Sequence, residues 1–165
     1  MHGLSPDYSL RNTLRPGDLG YITYLHGSIY SEEYGFDLSF EKYVFEPLCD
    51  FALAVPNDKE RIWIIERGSD IVGCVAIVEG EEDKAQLRWL ILKPEDRGKG
   101  LGRMLVQLAV DFCRVSGYNE VFLWTVSELD AARYLYESMG FHLEDSNENK
   151  IWGRVLVEEK YVLEL

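Results

Sequence analysis

Hydrophobic residues recur at steps of three and four in the first third of the chain, which is the spacing of one helical face. The repeating positions are Leu19, Ile22, Leu25 and Ile29. A second helix is predicted over Leu38–Leu53, because Pro56 and Asn57 follow it and stop helical structure. The chain is therefore expected to begin with a pair of helices.

The pattern then changes to short runs rich in β-branched residues, which favour strands. Ile62–Ile65 and Ile71–Val78 are two such runs, and the segment Arg67–Asp70 between them has the composition of a hairpin turn. The acidic turn Glu79–Asp83 precedes a third run at Ala85–Leu92. We expect three consecutive strands in this part of the chain.

From residue 97 onward, helical and strand patterns alternate. A sustained helical face comprises Leu101, Met104, Leu105, Leu108, Ala109 and Phe112. Gly117 ends that helix, and the fully apolar run Val121–Trp124 is typical of a central strand. A further helix is predicted over Leu129–Met139, and Phe141–Leu165 is predicted to form two strands around a turn near Asn147–Asn149.

The order of elements is helix–helix, three strands, helix, strand, helix and two strands. It predicts an α/β fold with a mixed central sheet flanked by helices. The length of 165 residues fits one domain spanning residues 1–165. With 47% hydrophobic and 28% charged residues, the composition is that of an ordinary globular protein and excludes disordered and fibrous classes.

The net charge of −12 disfavours nucleic acid as a partner, because sequence-independent binding to phosphates depends on lysine and arginine. The same acidity is compatible with a cationic substrate. No secretory signal is evident, and no apolar run approaches the roughly 20 residues of a membrane span. Cys49, Cys74 and Cys113 have neither disulfide-framework nor zinc-ligand spacing. We therefore expect buried free thiols in the cytoplasm, no metal and no membrane partner.

A glycine-rich, basic segment lies between a predicted strand and a predicted helix. Its three glycines leave main-chain N–H groups unobstructed, and the helix N-terminus adds positive potential, so the segment suits a diphosphate. The alternative is a glycine-rich turn whose basic residues face solvent. Spacing excludes a Rossmann fingerprint and a P-loop. The segment consists of Arg97, Gly98, Lys99, Gly100, Leu101, Gly102 and Arg103.

Within this segment, Arg97, Gly100 and Gly102 form the pattern Arg-x-x-Gly-x-Gly. It resembles the coenzyme A pyrophosphate loop of the GNAT acetyltransferase superfamily. The segment Ala132–Phe141 has the pattern Ala-x-x-x-Tyr-x-x-x-Gly-Phe, which resembles the helix and strand start that follow this loop at similar separation in that superfamily. The order of elements also agrees, so the resemblance covers nearly the whole chain.

Shorter segments are similar, more narrowly, to acetyltransferase domains fused to winged-helix MarR-type regulators. Too few residues precede the first predicted helix for a winged helix, so none is expected there. The segments are Tyr30–Gly35, Leu87–Trp89, Leu123–Thr125 and Trp152–Gly153.

The resemblance implies a single GNAT-like domain that moves an acetyl group directly from acetyl-coenzyme A to an amine acceptor, which is a small amine, an amino acid or a peptide. It implies that the glycine-rich segment binds the coenzyme together with the main chain of Leu90, Ile91 and Leu92. It also implies that Tyr136 donates a proton to the leaving thiolate. The alternative for Tyr136 is a core residue on the apolar face of its helix.

Two positions depart from the family pattern. Many members carry asparagine seven residues before the helix tyrosine, where this chain has Leu129. The resemblance then implies that the contact is lost or that Ser127 or Asp130 replaces it. Many relatives also have a carboxylate on the strand that holds Gln86–Arg88 here, and this segment has none.

Candidates for the general base therefore come from the first helix and its end. Glu32 and Glu33 lie where the family builds its acceptor site, and Glu33 is favoured because it shares the inward helical face. His26 is the next candidate. The alternatives are a solvated helix end for the glutamates and a partly exposed surface position for His26. Tyr30 and Tyr34 are candidates for lining the acceptor pocket or for packing.

Two further classes of function are consistent with the sequence. One is a non-catalytic coenzyme A-binding sensor or regulatory module, which the regulator-like segments motivate and Tyr136 argues against. The other is a pure interaction domain. Binding of coenzyme A without turnover would indicate the sensor, and absence of binding would indicate the interaction domain. The oligomeric state is left open, including a homodimer.

Overall fold

Seven strands form one mixed sheet in the spatial order β1-β2-β3-β4-β5-β7-β6. The computed structural model describes residues 4–165. Neighbouring strands are antiparallel except β4 and β5, which are parallel. The predicted α/β fold is confirmed. The elements are β1 (Tyr8–Arg11), α1 (Asp18–Tyr34), α2 (Leu38–Leu53), β2 (Arg61–Arg67), β3 (Asp70–Glu79), β4 (Lys84–Leu92), α3 (Leu101–Val115), β5 (Glu120–Val126), α4 (Asp130–Ser138), β6 (His142–Ile151) and β7 (Arg154–Glu164).

Helices cover both faces of the sheet. α1 and α2 pack on one face, and the predicted inward positions Ile22, Leu25 and Ile29 are buried there. α3 and α4 pack on the other face, where Leu105 and Ala109 are completely buried. Removing these apolar side chains from water stabilises the layers by about 25 cal/mol for each Å² that is buried. The helical spacing in the sequence thus correctly identified the buried faces of α1 and α3.

Two features of the strands differ from the prediction. β1 is an edge strand with polar and largely exposed residues, so it lacks the alternation that reveals a half-buried strand. The predicted turn near Asn147–Asn149 is wrong, because these residues lie inside β6. β6 is the other edge strand and is exposed along nearly its whole length. The chain turns instead at Trp152 and Gly153, whose φ angles are 52° and 81°.

A gap in the middle of the sheet separates the later parts of β4 and β5. Their parallel pairing ends at Gln86 and Phe122, although both strands continue. A bulge in β4 lies just beyond this point, where the register between β3 and β4 shifts. Trp89 has a φ of 52° within the bulge. Bulges bend the strand that carries them, so β4 diverges from β5.

The state of the cysteine thiols bears on the redox environment of the protein, and the composition of the helices bears on its relation to a membrane. Cys49, Cys74 and Cys113 are free thiols; the latter two are buried and Cys49 is partly exposed. Burial raises the pKa of Cys74 and of Cys113 to about 12, so both thiols stay protonated. Within residues 4–165, no helix combines the length and the apolar composition that crossing a bilayer requires.

Candidate active site

Two adjoining clefts occupy the gap between β4 and β5. The first, which we term the loop cleft, has a volume of about 340 Å³ and is bordered by Gly98, Gly100 and Gly102. The second, the inner cavity, has a volume of about 130 Å³ and lies among α1, α2, α4 and the diverging strands. The two clefts are continuous, because four residues line both. These are Tyr30, Leu90, Leu129 and Ala132.

A third recess, the outer groove, continues from the inner cavity towards the end of the β6–β7 hairpin. Its volume is about 420 Å³. Tyr43, Trp124 and Glu158 line both the outer groove and the inner cavity. The three recesses together form a passage from the glycine-rich loop, through the gap in the sheet, to a second opening.

The loop cleft has the form of an anion site at the N-terminus of α3. Gly98 and Gly100 have φ angles of 73° and 80°, and a Cβ atom on either would meet nothing within 4 Å. Gly100 is the N-cap residue and provides no side-chain cap for the first turn. The main-chain N–H groups of that turn therefore remain available to an anion, and the helix dipole favours negative charge there.

The three basic residues of the loop have different surroundings. Arg97 and Arg103 line the loop cleft. Arg97 Nη1 lies 2.7 Å from Glu33 Oε1, and Arg103 donates a hydrogen bond to the Ser138 hydroxyl. Lys99 turns away from the cleft, and its Nζ lies 3.1 Å from Asp96 Oδ1.

Lys99 is drawn away because Asp96 is completely buried and its carboxylate requires compensating charge. Arg67 and the Tyr8 hydroxyl also donate to the same oxygen, Asp96 Oδ1. The structure thus places eight of the ten predicted coenzyme-binding residues at the loop cleft, and Lys99 and Leu101 outside it. Leu101 packs in the core and is 6% exposed.

Tyr136 reaches the inner cavity from the α4 side of the sheet. It is 6% exposed and packs against Phe141, yet it lines the cavity together with Tyr30 from the opposite face. Burial raises the pKa of Tyr136, and the nearby Tyr30 raises it further. Unlike the Tyr118 and Tyr161 hydroxyls, the Tyr136 hydroxyl makes no hydrogen bond within residues 4–165. A protonated phenol therefore faces the cavity without a partner.

The two glutamates at the end of α1 lie outside the inner cavity. Glu33 borders the loop cleft, where Arg97 holds its carboxylate. Glu32 is exposed and lines neither cleft. Glu33 thus lies beside the glycine-rich loop at an exposed position, and the inward position expected for it is wrong. Of the two tyrosines, Tyr30 lines both clefts and Tyr34 lines the loop cleft alone.

His26 is buried, so the expectation of a partly exposed position is wrong. It is 3% exposed and lines the inner cavity. Its Nδ1 lies 2.8 Å from the carbonyl oxygen of Ile22, which can only accept, so Nδ1 carries the proton. Burial lowers the pKa of His26 to about 4, because the charged form loses its hydration. Neutral His26 is thus a weak proton acceptor.

The lowered pKa of His26 predicts how the stability of the folded protein depends on pH. Unfolded His26 binds a proton below about pH 6.5, whereas the folded form resists it until about pH 4. Stability should therefore fall as the pH is lowered through this window, with about 2 kcal/mol lost to His26 between pH 7 and pH 5. Urea titrations of the parent and of His26→Gln should diverge by that amount. The same substitution at the exposed His142 is the control for removing an imidazole from the surface.

Leu129 lines both clefts at the position where the family pattern has asparagine. Neither of the expected replacements borders a cleft. The Ser127 carbonyl accepts a hydrogen bond from Arg133, and the Asp130 side chain is 90% exposed. At this position the passage is therefore apolar.

Sequence reasoning did not identify Arg88 and Glu158, although both line the inner cavity. Arg88 belongs to a segment that was noted for its resemblance to regulator-linked domains and for lacking a carboxylate. Glu158 lies in a charged stretch of β7, where nothing distinguishes it from the buried Glu159 beside it. Glu158 Oε2 accepts a hydrogen bond of 2.6 Å from the Asn149 amide. Only the register of β7 in the sheet shows which of the two carboxylates faces the cavity.

Comparison with known proteins agrees with this architecture. The sequence model of the acetyltransferase (GNAT) family matches residues 23–141. An uncharacterized N-acetyltransferase of Escherichia coli is 30% identical over 115 residues, which cover 67% of this chain and 69% of that protein. N-acetyltransferase family 8 member 2 of Rattus norvegicus is 32% identical over 99 residues, covering 57% of this chain and 44% of that protein. The chain thus matches less than half the length of this rat relative.

A solved structure has the same fold over nearly the whole chain. It is a spermidine N-acetyltransferase from Vibrio cholerae in complex with coenzyme A and spermine. The TM-score is 0.69 at 24% sequence identity, and the match covers 96% of this chain and 95% of the other.

Proposed function

Because the chain belongs to the acetyltransferase (GNAT) family, we propose that it transfers an acetyl group directly from acetyl-coenzyme A to an amine acceptor. The continuous passage through the sheet carries this proposal. The loop cleft and the inner cavity meet at Tyr30, Leu90, Leu129 and Ala132. A donor and an acceptor can therefore meet there from opposite ends, and proximity replaces a covalent enzyme intermediate.

The loop cleft fits the donor. The first-turn N–H groups of α3, together with Arg97 and Arg103, suit the diphosphate of coenzyme A. Bound acetyl-coenzyme A supplies an activated thioester. Beyond Gln86, the main-chain N–H and C=O groups of β4 that point towards β5 are not paired with that strand within residues 4–165. An N–H group in Leu90–Leu92 is thereby free to stabilise developing negative charge on the thioester carbonyl.

Tyr136 is proposed as the proton donor to the leaving thiolate. Its raised pKa keeps the phenol protonated at neutral pH, and its hydroxyl is free within the described part of the chain. Tyr136 also stands beside Ala132, which lines both clefts, so it lies near the junction where transfer takes place. A donor held at this junction needs no rearrangement before it protonates the leaving group.

For the general base we propose Glu158 in place of Glu33 and Glu32. Glu158 is the carboxylate that lines the inner cavity among the described residues, whereas Glu33 is paired with Arg97. Glu158→Gln should lower kcat/KM about tenfold or more and change its dependence on pH. Glu32→Gln, at an exposed position, is the matched control and should match the parent at every pH. If Glu158→Gln has the parent's pH profile while Glu33→Gln does not, the base is Glu33.

The segments that resemble regulator-linked acetyltransferase domains contribute residues to the acceptor side of the site. Arg88, Trp89, Trp124, Thr125 and Trp152 all line the inner cavity. We therefore include in the proposal that the acceptor pocket is of the kind found in acetyltransferase domains linked to MarR-type regulators. The free thiols Cys74 and Cys113 lead us to propose a reducing compartment such as the cytoplasm.

The proposed activity is tested with the purified protein, acetyl-coenzyme A and a panel of amines. Release of coenzyme A thiol and the mass of the acetylated amine should appear together. Calorimetry with coenzyme A separates the other classes of function. Binding without acetylated product would make the chain a sensor or regulatory module, and absence of binding would make it an interaction domain.

A further inference from the structure

Arg88 is a cation inside the inner cavity that has no carboxylate partner in the described part of the chain. It lies on β4 within the gap and is partly buried. Its guanidinium carbon lies 5.1 Å from the centroid of the Trp89 ring and 5.7 Å from that of Tyr43. It forms no ion pair within residues 4–165. Two aromatic rings thus hold the guanidinium in the cavity and leave its N–H groups unused.

Other arginines with restricted exposure in this acidic chain are paired. Arg11 lies 2.7 Å from Asp18, Arg133 lies 2.8 Å from Glu159, and Arg154 lies 2.8 Å from Glu128. With 29 acidic residues against 17 basic ones, a carboxylate is readily available to an arginine. An unpaired, partly desolvated guanidinium is costly, so its presence in a cavity indicates a ligand that supplies the anion.

The bulge in β4 explains why Arg88 and Trp89 lie on the same face of the sheet. In a regular strand, successive side chains point to opposite faces of the sheet. At Trp89 the φ of 52° interrupts this alternation, and the Arg88 guanidinium comes to lie over the neighbouring Trp89 ring. Both side chains therefore face α2, where Tyr43 completes the site. The same distortion that opens the gap thus places the Trp89 ring beside the Arg88 guanidinium.

We propose that Arg88 binds the carboxylate of the acceptor, and that the acceptor is a small aminocarboxylate such as an amino acid with an apolar side chain. This inference rests on the proposed acetyltransferase function. Arg88 provides a planar, multiply donating group that matches a carboxylate in shape and charge. Glu158 lines the same cavity and provides the opposite charge for the ammonium group. The aromatic lining, which includes Phe36, Phe40 and Trp152, suits an apolar side chain.

The net charge is compatible with a cationic acceptor, but the charged groups that line the cavity favour an aminocarboxylate. The charge of −12 is distributed over the whole molecule. Recognition inside the cavity depends instead on the few charged groups that line it, because solvent and salt screen more distant surface charges. A polyamine would bring a second cation towards Arg88 and leave that guanidinium unpaired.

The test compares matched acceptors that differ only in the carboxylate. Leucine, leucinamide and 3-methylbutylamine form one series; phenylalanine, phenylalaninamide and phenethylamine form another, and spermidine is added. We expect the parent protein to prefer the free acids in kcat/KM by about 10- to 100-fold, the effect of one charge-assisted pair. The amide has the less basic amine and hence more free amine at neutral pH, so amine basicity cannot produce a preference for the acid over the amide.

Variants of Arg88 test whether this residue causes the preference for the free acids. Arg88→Met should abolish the discrimination, mainly by raising KM for the acids, while the Kd for coenzyme A is unchanged. Arg88→Lys should restore part of it. Arg61→Met is the matched control, because Arg61 also lies over an aromatic ring, 4.7 Å from the centroid of Phe112, but lines none of the three recesses.

Each outcome of these experiments supports or overturns the proposed role of Arg88. Equal or better acetylation of the amides, the simple amines or spermidine by the parent would overturn it and leave the acetyltransferase function intact. Retention of the acid preference in Arg88→Met would also overturn it. If coenzyme A binds but no amine of the panel is acetylated, the proposed function fails, and the inference fails with it.

Discussion

Tyr136→Phe is expected to lower turnover by about 10- to 10⁴-fold while the affinity for coenzyme A is retained, if Tyr136 is the proton donor. The change removes one oxygen atom from a phenol that faces the inner cavity and makes no hydrogen bond within residues 4–165. Steady-state kinetics with the best acceptor and calorimetry with coenzyme A measure the two quantities. The fold should be preserved, because the ring and its packing against Phe141 remain.

Tyr161→Phe is the matched control for this experiment. Tyr161 is also buried, at 1% exposure, and its ring centroid lies 6.4 Å from that of Tyr136, but it lines none of the three recesses. Its hydroxyl accepts a hydrogen bond from Arg133 and donates one to Glu137. Tyr161→Phe should therefore cost about 1 kcal/mol of stability and leave turnover near the parent value. Parental turnover in Tyr136→Phe would assign Tyr136 to core packing alone.

The second large effect is expected at the glycine-rich loop. Gly100→Val should weaken coenzyme A binding by about 100-fold or more, because a branched side chain would occupy the space in which the diphosphate meets the N–H groups of α3. The present space is open, with nothing within 4 Å of a Cβ atom at Gly100. The φ of 80° also strains a β-branched residue, at a cost of about 1–3 kcal/mol. Calorimetry and thermal unfolding are measured together.

Two control variants distinguish weak binding caused by a blocked site from weak binding caused by backbone strain. Gly117, at the other end of α3, has a φ of 78° and equally open surroundings, so Gly117→Val carries the same strain away from the cleft. It should bind coenzyme A like the parent. Gly68, in the turn between β2 and β3, has a φ of 63° and equally open surroundings, so Gly68→Val is a second strained variant away from the cleft and should also bind normally. Undiminished affinity in folded Gly100→Val would refute the placement of the diphosphate.

Local sequence signals identified much of the fold. The apolar faces of α1 and α3 follow from residue spacing within a few helical turns. Such a face is buried whichever element packs against it. The anion site at the loop is similarly local, since it requires only glycines that adopt positive φ and a helix that begins beside them. The turn between β6 and β7 was missed because polar residues mark an exposed edge strand as readily as a turn.

The sequence by itself therefore determined the layers of the fold, the glycine-rich loop and the helix that carries Tyr136, because each depends on residues that are neighbours along the chain. The tertiary structure alone decided which charges meet. Glu33 and Arg97 are 64 positions apart, and their ion pair removes Glu33 from the role of a free base. Arg88 and Glu158 come from different strands and share a cavity only because β4 and β5 diverge. Attraction between charges depends on their distance in space and on local burial, and the spacing of residues along the chain specifies neither.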